Sequence, residues 1–182
     1  MTLTHLLHTH RTGFHRLLVT QLDVSAPSPY NQDAVCHVAL LQRLPRDVYV
    51  DQYEMSIARV TRSRQAGEDA AIVRVFGAYQ VERPAPECES SLVAVTVRAE
   101  RSARQGVVSA NAAVPIHARY PAPAQPGETK LRDVDIPVPV ALIRCGGEDA
   151  LWQQAIMADG DKVITWKVRE LPEAVPCGST CL

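Results

Sequence analysis

The chain has 182 residues, 46% hydrophobic and 21% charged, with a formal net charge of -1. That length suits one domain with a real core, and the composition is that of an ordinary globular protein. The near-neutral balance gives no argument for nucleic acid or an acidic membrane surface as partner, and no stretch approaches the roughly 20 apolar residues needed to span a bilayer.

Residues 1–12 hold His5, His8 and His10, with His15 just beyond. The spacing is loosely metal-like, but little hydrophobic pattern surrounds it. A flexible tail is expected there, and no metal site. Residues 14–24 read as a strand, broken by Ala26-Pro27-Ser28-Pro29. A second apolar run covers 35–44 and ends at Pro45, and 48–50 continue extended. Residues 54–64 are ambiguous, with weak helical spacing at Met55, Ile57 and Val60. Strand character resumes over 71–81 and stops at Pro84-Ala85-Pro86.

Leu92, Ala94 and Thr96 alternate with Val93, Val95 and Val97. Both faces are mostly apolar, which predicts a strand covered on both sides. Gln105-Gly106 marks a turn, and 107–120 give one or two short strands. Residues 134–144 are extended despite Pro137 and Pro139, as an edge strand or bulge allows. Asp159-Gly160 lies between apolar runs at 151–157 and 162–168, which predicts a hairpin. Short Val- and Ile-rich runs with turn signals at this spacing predict an all-β fold, a single β-sandwich-like domain of mainly antiparallel strands, eight to ten in number. The domain is expected over 13–168, with flexible tails at 1–12 and 169–182.

Chemistry-bearing patterns are few. There is no Gly-x-Ser-x-Gly elbow and no glycine-rich phosphate loop; Gly146-Gly147 reads as a turn. The five cysteines are Cys36, Cys88, Cys145, Cys177 and Cys181. The first three read as buried small apolar residues in preference to a disulfide among them. Cys177 and Cys181 sit in the tail with no further ligand in view. Asp51 and Glu54 read as partners of Arg119 or Arg16 in a structural ion pair rather than as an acid/base couple. No catalytic residue and no cofactor is expected.

The most informative segment is Pro115-Ile116-His117-Ala118-Arg119-Tyr120-Pro121-Ala122-Pro123. Proline fixes its own backbone angle and restricts the residue before it, so the segment must be extended. His117 and Arg119 then share one face, and Ile116, Ala118 and Tyr120 the other. Two roles stay open for His117: contact with a partner, or a hydrogen bond within the sheet surface.

This block resembles the signature of the PIG-X family. Other pieces match in order: Gly13-Phe14-His15-Arg16, Leu44-Pro45, Val48-Tyr49-Val50-Asp51-Gln52-Tyr53-Glu54, Val81-Glu82-Arg83-Pro84-Ala85, and Ile136-Pro137-Val138-Pro139 leading to Cys145. Gln52 stands where the family commonly has proline. The resemblance runs from about Gly13 to Trp166. It implies a lumenal, non-catalytic subunit of glycosylphosphatidylinositol (GPI) mannosyltransferase I, at the endoplasmic reticulum membrane. Its expected partner is a PIG-M-like catalytic subunit, stabilised for addition of the first mannose. The partner-binding residues expected are Pro115, His117, Arg119 and Tyr120, with Asp51 and Tyr53. Members of the family enter the lumen by a signal and end in a membrane helix. Neither is visible here, so the chain is read as a partial gene model, an alternative transcript or a trimmed lumenal region. The other readings are a stand-alone glycan- or peptide-binding module and an inactive truncated isoform.

Overall fold

Chain breaks fall where proline and glycine place them, and strands fill the intervals. The structure, a computed structural model, describes residues 2–8, 14–25, 34–55, 71–77, 84–101, 106–120, 131–147, 149–156 and 163–169. The described strands are β1 (Thr2–His8), β2 (His15–Ser25), β3 (Cys36–Leu44), β4 (Val48–Tyr49), β5 (Ile72–Gly77), β6 (Ser91–Arg98), β7 (Glu100–Arg101), β8 (Val107–Ala118), β9 (Leu131–Pro137), β10 (Val140–Cys145), β11 (Gln153–Ile156) and β12 (Val163–Arg169). There are twelve, rather than eight to ten.

Every pairing is antiparallel. One sheet runs β1-β2-β8-β4, with β7 also on β8; a second runs β11-β10-β3-β6-β5; β9 and β12 form a two-stranded ribbon. The two large sheets share one core. Leu18 and Leu22 of β2 and the even-numbered residues of β8 meet Val38, Leu40 and Leu44 of β3 and Val93 and Val95 of β6. Leu22, Leu44, Ile116 and Ile136 are fully buried, each contributing about 1.5–3 kcal/mol over an exposed position. Gln42, an inward residue of β3, is buried as well. Its amide nitrogen donates to Pro137 O (2.7 Å) and Arg43 O (2.8 Å), which ties the end of β9 to the core.

The all-β sandwich is as expected; several local readings are not. Thr2–His8, expected within a flexible tail, pairs with residues 17–23 of β2 as an edge strand. An edge strand is held by its ladder and needs no strong apolar alternation of its own. Of the one or two short strands expected over 107–120, residues 107–118 make one, and it is long, at twelve residues. Pro115 sits opposite Leu17 on the β2 flank, while on the other flank β7 and β4 cover only 108–109 and 117–118. A missing N–H is tolerated where one flank carries no ladder.

Pro137 and Pro139 mark a break between β9 and β10, so 134–144 is two strands; β10 lies inside its sheet, between β11 and β3. The Asp159-Gly160 hairpin is not formed as a pair, since β11 pairs with β10 and β12 with β9. A turn signal reports local reversal, while the open sheet edges decide pairing. The turn itself lies outside the described residues, as do 56–64, the segment 78–83 and the tail beyond 169. In β6 only one face is covered. Val93, Val95 and Val97 are buried, whereas Leu92 is 39% exposed and Ala94 and Thr96 are half-buried.

The cysteine reading is overturned. Cys36 and Cys145 are joined by a disulfide, because the β3–β10 register sets them directly opposite each other. Cys88 is a buried thiol.

Candidate interaction site

Three of the signature segments, contributing Phe14 and His15, 48–54 and 115–120, meet at one end of the first sheet though more than a hundred residues separate the first from the last. β8 closes there on both neighbours: His117 faces His15 of β2 and Tyr49 of β4 in register. Directly opposed side chains on one sheet face touch, so the three rings form a row. His117 lies edge-on to His15 at 4.3 Å and stacks on Tyr49 at 5.1 Å.

The chain then turns after β4. Asp51 Oδ1 accepts from Tyr53 N–H (2.8 Å) and Asp51 O from Met55 N–H (3.0 Å), a capped helical turn. Met55 is buried and anchors that turn to the core. Glu54 is thereby swung over the sheet, and its Oε2 lies 2.7 Å from His117 Nε2. Glu54 was not the partner expected for His117.

Arg119 follows on the same face. Its guanidinium lies 4.7 Å from the Tyr49 ring centroid, and its N–H donates to Asp47 O at 2.7 Å. The Asp47 carboxylate meets Arg132 of β9 at 3.2 Å. Burial holds the Tyr49 phenol above its ordinary pKa of 10.0, with the Arg119 charge acting in the opposite direction.

The alternation read from the sequence holds: Ile116 and Ala118 point into the core and His117 and Arg119 away from it. Yet His117 is only 7% exposed and Arg119 3%. The 52–55 turn and the Tyr49 ring pack against them, so this pair faces the protein rather than solvent. Pro115 is buried too. Among the residues expected to bind a partner the exposed ones are Tyr53, at 77%, and Tyr120, at 62%, and neighbouring His15 is exposed as well. Tyr120 packs on Phe14 with ring centroids 5.3 Å apart, Phe14 O accepts from Ala118 N–H, and Tyr120 O accepts from Ala85 N–H. A short 3-10 turn over Ala85–Glu87 is hooked to the site by that last bond. Tyr49, Phe14 and His15 thus belong to the site. Each lies in a segment flagged by the sequence, but only strand register brings it beside His117.

Chemically the arrangement is a braced aromatic surface: buried His117 and Arg119, with half-buried Glu54 over His117, underlie a patch that exposes Tyr53 and Tyr120. The Cys145 sulfur is held in the disulfide with Cys36. Among the described residues no three His, Cys, Asp or Glu side chains cluster to hold a metal, and no helix is long and apolar enough to cross a membrane.

Comparison with known proteins returned one finding. The family model described as PIG-X / PBN1 matches residues 11–165. No curated protein and no solved structure matches. The matched stretch takes in every described strand except β1 and the last residues of β12, and it carries all the residues of the aromatic surface. The family has an accessory role in GPI-anchor biosynthesis. With well over half its length matched, this chain belongs to the PIG-X / PBN1 family.

Proposed function

We propose that the chain is a non-catalytic lumenal subunit of GPI mannosyltransferase I. It stabilises a PIG-M-like catalytic subunit for addition of the first mannose in the endoplasmic reticulum. The family match over 11–165 carries this reading. The Cys36–Cys145 disulfide supports it, because such bonds persist in oxidising compartments such as that lumen. The partner contact is assigned to Tyr53 and Tyr120, with Asp51, His117, Arg119 and Pro115 fixing their positions. Two rigid, amphipathic rings held by a buried brace lose little side-chain freedom on docking.

The test is rescue in cells lacking their own PIG-X subunit. The chain is expressed with a signal peptide and a membrane anchor, and surface GPI-anchored proteins are stained. Rescue is expected, together with a raised level of the mannosyltransferase subunit. A well-expressed chain in the endoplasmic reticulum that restores neither would overturn the assignment. Tyr53→Ala with Tyr120→Ala is expected to lower the level of the catalytic subunit while leaving the thermal midpoint of the domain in place. An unchanged level would remove the tyrosines from the contact.

A further inference from the structure

The net charge of -1 conceals a sharp local asymmetry. The five strands of the second sheet contain no Asp or Glu, yet they carry Arg43, Arg74, Arg98 and Arg144. All four arginines stand on the same face. Strand register shows it: Arg74 lies opposite Ala94, Arg43 opposite Leu92, and Arg98 and Arg144 both opposite His37, while Val93, Val95 and Val38 point into the core. The face is therefore the outward one.

Between the arginines this face is apolar. Phe76, Leu92 and Arg43 form one cross-strand row. The next row runs Arg74, Ala94, Leu41 and Val140. Phe76 is 52% exposed and Ile72, beyond Arg74 on the same strand, 51%. At the far edge Trp152 lies against the Arg144 guanidinium at 4.9 Å, and Leu151 beside it is 84% exposed. Among the described residues nearby in sequence, Glu89 and Asp149 sit in loops at the ends of the strands, and Glu100 belongs to β7 of the first sheet.

We propose that this outward face docks on an anionic lipid bilayer. Water-exposed apolar side chains ringed by arginine and free of carboxylates suit the boundary between acyl chains and phosphates. Phe76, Ile72, Leu151 and Trp152 enter the interface, and the exposed guanidiniums of Arg43 and Arg74 pair with lipid phosphates in bidentate fashion. A typical protein-protein patch needs no such single-sign charge, and a nucleic-acid face would not carry exposed aliphatic side chains. The inference stands apart from the identity of the glycosyltransferase served.

Vesicle co-sedimentation tests it, with the purified chain, its disulfide intact. One set of vesicles is phosphatidylcholine alone and the other an equimolar mixture with phosphatidylinositol. Binding is expected to be strong only on the mixed vesicles, and to weaken as salt rises. Each arginine near an anionic surface is worth about 1 kcal/mol, or about fivefold, so Arg43→Gln with Arg74→Gln should weaken binding about thirtyfold. Arg46→Gln removes an exposed charge in the loop that leads from β3 to β4 of the first sheet, and should leave binding within about twofold. Phe76→Ser should weaken it as well. All these positions are exposed, and an unchanged thermal midpoint confirms the folding of each variant. Equal binding to both kinds of vesicle, no binding to either, or an equal loss from Arg46→Gln and the double variant would each overturn the proposal.

Discussion

Removing the Cys36–Cys145 disulfide should cost this domain a large share of its stability. The bond closes a sequence separation of 109 residues. Chain entropy alone predicts that such a closure stabilises the fold by about 4.8 kcal/mol, through restriction of the unfolded chain. For a domain of this size that corresponds to a fall of about 10–20 °C in thermal midpoint. Cys36 is buried against the core, so Cys36→Ala with Cys145→Ala also loses some sulfur packing. The assay is thermal unfolding of the native chain and the double variant, each with and without reductant. Reductant should bring the native chain down close to the variant and leave the variant where it is. If reductant moves both by the same amount, or moves neither, this closure does not stabilise the domain as reasoned.

Glu54→Ala removes the acceptor facing His117 Nε2 and should destabilise the domain by about 1–3 kcal/mol, read by chemical denaturation; Glu54→Gln should recover part of that. Tyr49 bears on alkaline stability. Its folded pKa is raised above 10.0, so its contribution is intact below pH 10.0 and is lost as pH rises through the folded value. Phenolate absorbance should show a component titrating above pH 10.0 that Tyr49→Phe removes, and the same variant should flatten the decline in stability above pH 10.0. Gly77 and Gly106 both have positive φ, at 95° and 72°. A Cβ on Gly77 would come within 3.2 Å of Ser90 O, whereas one on Gly106 meets nothing within 4 Å. Gly77→Ala should therefore lower the thermal midpoint more than Gly106→Ala, which carries only the left-handed backbone cost of about 1–2 kcal/mol.

Strand positions were legible because their causes are local. Pro45 ends β3, and the valines of β6 recur at every second residue. What escaped the sequence depends on which strand lies beside which. Cys36 and Cys145 look like small apolar residues until β3 and β10 are paired in register. Leu92, Ala94 and Thr96 read as core because they are apolar, and nothing local says that their face is left open. The site divides in the same way. His117, Arg119 and Tyr120 were conspicuous between prolines, and strand alternation assigned them to the correct faces. The burial of His117 and Arg119 was not legible, since it comes from a capped turn some sixty residues earlier in the chain, swung onto them by β4.

The topology also imposes an order of events on a chain that is synthesised from its N-terminus. Leu18 waits for Val114, and Cys36 for Cys145. The strands emerging first can only be completed by strands that emerge last. Until then β2 and β3 present apolar faces with no permanent neighbour, and Cys36 presents a reactive thiol. Folding should therefore be slow, largely post-translational and reliant on chaperones and on an oxidant for its thiols. The supply of finished subunit would then follow the capacity of that machinery, as well as the rate of its synthesis.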